Sequence, residues 1–176
     1  MKKRILSTIL SAPLAIALSF GILSAAVAAP PTALSCPDGQ NVVVHLKRHI
    51  NDLQGAQLAV RLATHMEQEV IDMPGNSPDM PVNVSLFLTL QGPRLIDPAN
   101  PQNLSFGSDS MTLEQVVTGF LNSGGKIYAC GICAIEIGVE PGDELLYADL
   151  FPGQVKIATE DDISRIFLCA DKVVDF

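Results

Sequence analysis

The stretch GGKIYACGICAIEIGV, Gly124 to Val139, decides how this chain is read. Its two glycines stop whatever helix precedes them. KIYAC, Lys126 to Cys130, is short and rich in apolar and aromatic residues, the pattern of a strand. GICAIEIG then reads as one or two helical turns closed by Gly138. A strand that hands over directly to a helix is the repeating step of an α/β domain. Two cysteines three residues apart, Cys130 and Cys133, stand at that handover.

Working outward, the same step recurs. NVVVHL (Asn41–Leu46) is a continuous apolar run, as in a strand covered on both faces. KRHIND follows as a loop, and Leu53–Val70 carries helical spacing. Prolines break the chain near residues 71–81, and VNVSLFLTL (Val82–Leu90) forms the second strand. Gln91–Ser110 is a long run of turn-formers, the kind of segment that serves as a lid or binding loop. Thr112 with Gln115 marks a capping box at the start of the next helix. After the opening stretch come PGDELLYADLF, a further short helix, then a fourth strand at Gln154–Ala158. A helix capped by Thr159 and a last short strand, KVVDF, complete the chain. The expectation is a single three-layer α/β domain with a mainly parallel five-stranded sheet.

The amino-terminal segment does not belong to that domain. Lys2, Lys3 and Arg4 precede an apolar run and an A-x-A site at Ala26–Ala28, which reads as a signal peptide over residues 1–28. Residues 29–40 read as a leader and 41–176 as the domain. Cleavage after Ala28 leaves no stable membrane anchor and puts the product in the periplasm or outside the cell. The mature chain carries 8 basic and 19 acidic residues, a net charge of −11. That charge, with no Trp and two Tyr, argues against nucleic acid as a partner. No glycine-rich phosphate loop follows the first strand, so no nucleotide cofactor is expected. One CxxC supplies two ligands of the four a structural metal needs, so no metal is expected either.

In a parallel sheet the carboxyl ends of the strands gather on one edge, where catalytic groups collect. Cys130 falls there, at a helix start whose unpaired N–H groups favour a thiolate. Cys133 is one turn further on, within reach to pair with it. The competing reading is two small buried residues packing a junction. Lys47, Arg48 and His49 follow the first strand and Arg94 follows the second. All four lie on the same edge, as supports for a thiolate or as ordinary solvated loop residues. Cys36 precedes the first strand and Cys169 ends the last helix, so both belong to the opposite edge. Export allows them to form a structural disulfide; two inert thiols are the alternative.

Together, VVVHL…LQGAQLAVRLATHM, VNVSLFLTLQGPRLI, FLNSGGKIYACGICAIEIGV and VKIATEDDISRIFLCADKVVDF resemble the DsrE/DsrF-like family in order and spacing. The resemblance covers about residues 41–176. It implies the five-stranded fold, a homo-oligomer (trimer or hexamer) or a complex with paralogues, and sulfur chemistry at Cys130. Cys130 matches the family's sulfur-carrying cysteine by its distance from Gly138, and Cys133 is an addition that relay members usually lack. The expected activity is persulfide transfer or thiol–disulfide exchange, as a sulfur transferase or thiol-redox protein. The partner would be a sulfur donor or acceptor protein, or a small thiol. The alternative is a non-catalytic periplasmic binding or assembly module whose CxxC is structural.

Overall fold

The chain divides into two units, Met1–Ala33 and Leu34–Phe176. The structure, a computed structural model, describes residues 35–68, 81–100, 103–105, 110–140 and 142–176. The signal peptide, the first part of the leader, the proline-rich break before Pro81 and the tip of the Gln91–Ser110 stretch lie outside the described residues.

Five strands form one sheet: β1 (Gln40–Leu46), β2 (Val82–Leu88), β3 (Lys126–Cys130), β4 (Val155–Ala158) and β5 (Lys172–Asp175). Their order is β4-β3-β2-β1-β5 and every pairing is parallel. The helices are α1 (Leu53–Gln68), α2 (Leu113–Asn122), α3 (Gly131–Glu136) and α4 (Glu160–Leu168).

The pleat explains the unbroken apolar run of β1. Val42, Val44 and Leu46 face one way, into a core that α1 closes with Ala56, Val60 and Ala63 and α2 with Val116 and Phe120. Val43 faces the other way, against Phe87, Ala158 and the α4 residues Ile163 and Ile166. A strand apolar on both sides must be covered on both sides, so the sheet is the middle of three layers. Burying each large side chain of the first core contributes roughly 2 kcal/mol.

Helix starts follow local chemistry. The Thr112 hydroxyl accepts the Gln115 N–H at 3.3 Å while Gln115 Oε1 accepts the Thr112 N–H at 2.9 Å. Thr159 and Asp162 make the same reciprocal pair ahead of α4.

Two expectations are corrected. The segment after β2 is not structureless: Gly92–Ile96 is a 3-10 helix with Gly92, Pro93, Leu95 and Ile96 buried. Pro93 starts it, and its apolar residues fill the main core. A Cβ on Gly92 would lie 2.4 Å from the Leu46 carbonyl oxygen, so a glycine is required for this turn to lie against the end of β1. The segment near Leu145–Phe151 is a series of turns rather than a helix. Tyr147 there has φ 71°, a left-handed conformation that interrupts helical propagation.

Candidate functional site

At the carboxyl edge of the sheet, Cys130 ends β3 and acts as the N-cap of α3, with φ −60° and ψ 120°. It pairs with Ala158 of β4, and its side chain packs on the α4 face of the sheet beside Tyr128. Cys133 lies in the first turn of α3. Both cysteines are free and half-buried. Cys133 is close to Cys130 and to the backbone N–H of Leu90. Burial pushes the Cys133 thiol up from its ordinary range. The bond to Cys130 and the charges of Cys130 and Glu136 act the same way, against the Leu90 N–H. Leu90 adopts φ 52° just past β2. The cysteine pair is thus held by two neighbouring strand ends.

The residues expected to support a thiolate are distributed differently. Lys47 Nζ sits 3.1 Å from Asp175 Oδ1, and Arg48 NH1 sits 2.6 Å from Asp52 Oδ2. Arg94 donates to Gln91 Oε1 at 2.7 Å and to Asn100 Oδ1 at 3.3 Å, bracing the turn after β2. His49 is fully buried, and among the described residues neither of its ring nitrogens has a hydrogen-bond partner. Burial lowers its pKa to about 4, helped by the nearby Arg94 and opposed by Asp97. It is a neutral imidazole at pH 7.

Three residues at this edge escape a reading of the sequence alone. His45 Nδ1 is 2.7 Å from Asp175 Oδ1, and His45 Nε2 is 2.7 Å from Thr89 Oγ1. The hydrogen bonds from Lys47 and His45 hold the Asp175 carboxyl below its usual range. The Phe87 and Phe167 rings flank the imidazole, with centroids at 5.6 and 6.5 Å. His45 reads from sequence as a histidine within an apolar strand. Its one local signal is that it is the only polar residue within VVVHL. Asp175 and Thr89 carry no signal, because β5 returns beside β1 only in the folded chain.

The other two cysteines sit at the amino edge. Cys36, just before β1, is disulfide-bonded to Cys169, which ends α4, with Cα atoms 5.4 Å apart. A cleft also lies at this edge, lined by Asn83, Ser85, Lys126, Tyr128, Arg165 and Cys169. Its walls are mixed in charge and no reactive side chain points them to a reaction, so the chemistry is read from the carboxyl edge. Among the described residues no group of three or more His, Cys, Asp or Glu is arranged to hold a metal. No helix among them is long and apolar enough to cross a membrane.

No family model matches the chain, and no curated protein matches it. Among solved structures, its fold is similar to that of the ychN protein of E. coli, a DsrE/DsrF-like protein, with a TM-score of 0.51 and 16% identity. The match covers 78% of this chain and 99% of the other. At that identity the likeness is one of fold alone.

Proposed function

We propose that the chain is an exported protein that carries sulfur or exchanges disulfides through Cys130, with Cys133 as its second thiol. The observation that carries this reading is the contact of two free thiols at the carboxyl end of β3. Cys133 holds its proton more tightly than an ordinary thiol. Cys130 is therefore the attacking atom. Attack on the terminal sulfur of a persulfide R–S–SH forms the Cys130 S–S bond as the donor's S–S bond breaks, releasing R–SH. Cys133 can then displace that sulfur as hydrosulfide, closing a Cys130–Cys133 disulfide, or leave it for an acceptor.

Ile132 and Ile135 of α3 and Leu90 stand exposed around the pair, at 74%, 53% and 58%. That apolar rim supports docking of a donor or acceptor protein, or of a second copy in a homo-oligomer. It also favours the second reading, an assembly module in which the cysteines only pack the junction.

Iodoacetamide labelling of the reduced protein, read peptide by peptide, separates the two. Under the sulfur reading Cys130 labels at pH 7 about tenfold faster than a peptide thiol and ahead of Cys133. Incubation with a small persulfide then adds the mass of one sulfur atom to the Cys130 peptide, and Cys130→Ser abolishes the gain without loss of folding. A Cys130 as slow as a peptide thiol, with no sulfur taken up, leaves the assembly module as the reading.

A further inference from the structure

The amino edge of the sheet is uneven, and the unevenness opens a cleft. Ser85 of β2 pairs with Lys126, the first residue of β3. Val82, Asn83 and Val84 therefore run ahead of β3 and overhang a notch beside Gly124. The Val84 N–H points to the side where β3 has not yet begun, and Glu67 Oε2 accepts it at 2.6 Å. Above the notch, Val43, Ser85 and Lys126 stand in register on the α4 face of the sheet. Helix α4 supplies the facing wall with Arg165, Ile166 and Cys169. The empty space between them is about 540 Å³, its open mouth included.

That wall is fixed in place. Cys169 is bonded to Cys36. The Asn41 N–H donates to Asp171 Oδ2 and the Asp171 N–H donates to the Asn41 carbonyl, both at 2.8 Å. The end of α4 is thereby tied to the start of β1 by a covalent bond and two hydrogen bonds. A site held open in this way loses little freedom when it is occupied.

The cleft also gathers positive charge that the rest of the domain neutralises. Lys47, Arg48 and Lys156 are each ion-paired with an aspartate. Among the described residues no ion pair engages Lys126 or Arg165, and both line this cleft. Glu67 is the one acidic side chain among the lining residues, and its carboxylate is turned to the Val84 N–H. Two cations against one carboxylate leave a single positive charge over, in a mature chain whose net charge is −11. Neutral donors stand beside the cations. The Ser85 and Tyr128 hydroxyls line the same space, and burial raises the Tyr128 pKa, so that hydroxyl keeps its proton. Val43, Ile166 and the Tyr128 ring add an apolar surface.

We propose that this cleft binds a small organic molecule carrying one carboxylate. Arg165 offers a planar fork that matches a carboxylate, and Lys126 offers a point charge. The Ser85 and Tyr128 hydroxyls complete the polar end, and Val43, Ile166 and the Tyr128 ring receive the apolar body. An inorganic anion would leave the apolar surface unused, and a neutral molecule would leave the surplus charge unanswered. The site makes no use of the free thiols, so it stands or falls separately from the sulfur reading of Cys130.

The test is a titration of the full folded chain with sodium benzoate at constant ionic strength, followed by amide NMR, with benzamide and inorganic phosphate as parallel probes. Benzoate is expected to give saturable shifts centred on Ser85, Lys126, Tyr128 and Arg165, with a dissociation constant on the order of 1 mM. Benzamide and phosphate bind at least about fivefold more weakly. Lys126→Gln and Arg165→Gln each weaken benzoate binding about fivefold, as suits ion pairs at a partly exposed site. Lys172→Gln, on β5 and outside the cleft, leaves it unchanged. Lys126 and Arg165 are exposed, and the spectrum of each variant without ligand shows that it is folded. Benzamide binding as tightly as benzoate overturns the proposal, because the cleft is then an apolar slot. Phosphate binding as tightly overturns it too, because charge alone then suffices. Shifts that do not saturate, that centre elsewhere, or that persist unweakened in K126Q and R165Q also overturn it.

Discussion

The two edges of the sheet hold the same residue type in opposite chemical states. At the amino edge Cys36 and Cys169 are bonded to each other, and Cys169 is buried. At the carboxyl edge Cys130 and Cys133 are free, half-buried and close together. Their settings account for the difference. The first pair joins segments far apart in sequence that the fold brings to one place, so its bond restrains the unfolded chain. The second pair lies within one turn, where a bond would restrain almost nothing. One edge uses sulfur to hold the structure, and the other leaves sulfur available for reaction.

The largest test of that contrast is to remove each pair in turn. Loss of the Cys36–Cys169 bond, at a sequence separation of 133, is expected to cost about 5 kcal/mol from loop-closure entropy. The Cys130→Ser and Cys133→Ser changes are expected to cost about 1 kcal/mol or less. Urea unfolding of the double variants Cys36→Ser/Cys169→Ser and Cys130→Ser/Cys133→Ser compares them directly. Similar losses in both would erase the division between the edges.

A second contrast is one of pH. The buried imidazole of His49, beside the carboxyl edge, is harder to protonate folded than unfolded. Between pH 6.5 and about 4 the unfolded chain takes up a proton that the folded chain refuses. Its contribution is complete above pH 6.5 and falls away as the pH drops to about 4, by roughly 3 kcal/mol. Unfolding midpoints at pH 7 and pH 4.5 should therefore differ in wild type and converge in His49→Leu. Disulfide bonding has no such dependence, so the same fall in His49→Leu would point to carboxylates elsewhere.

The smallest of these effects concerns the element that joins the edges. α4 begins at the carboxyl edge with Thr159 and ends at the disulfide. Thr159→Ala removes the hydroxyl that caps it and should cost about 1 kcal/mol. Thermal unfolding measures the loss, and iodoacetamide labelling of Cys130 at pH 7 should stay as in wild type. A changed labelling rate would show that the two edges are coupled through α4.

Much of the fold is legible in the sequence because its signals are local. The unbroken apolar runs of β1 and β2 require cover on both faces, and the threonine caps of α2 and α4 announce their helices. Cys130 is legible for the same reason: a cysteine between a strand and a glycine-flanked turn occupies a carboxyl edge wherever the other strands lie. The Gly92–Ile96 helix is masked by Pro93 and its turn-forming neighbours, and only the space under the end of β1 reveals it. The partners of His45 are illegible for a deeper reason. His45 sits on β1, Asp175 on β5 and Thr89 just past β2, three strands whose adjacency comes from sheet order, and no window of sequence contains that order. Lys47 reads as a free cation near the thiols until β5 brings Asp175 to it.

The disulfide at the amino edge also changes the covalent topology of the domain. Bonding Cys36 to Cys169 turns everything between them into a closed ring that contains four of the five strands. A protease that cuts this ring once opens it without releasing a fragment. The nicked domain stays one covalent molecule and runs as two pieces only after reduction. A single cut then need not be a loss of the molecule.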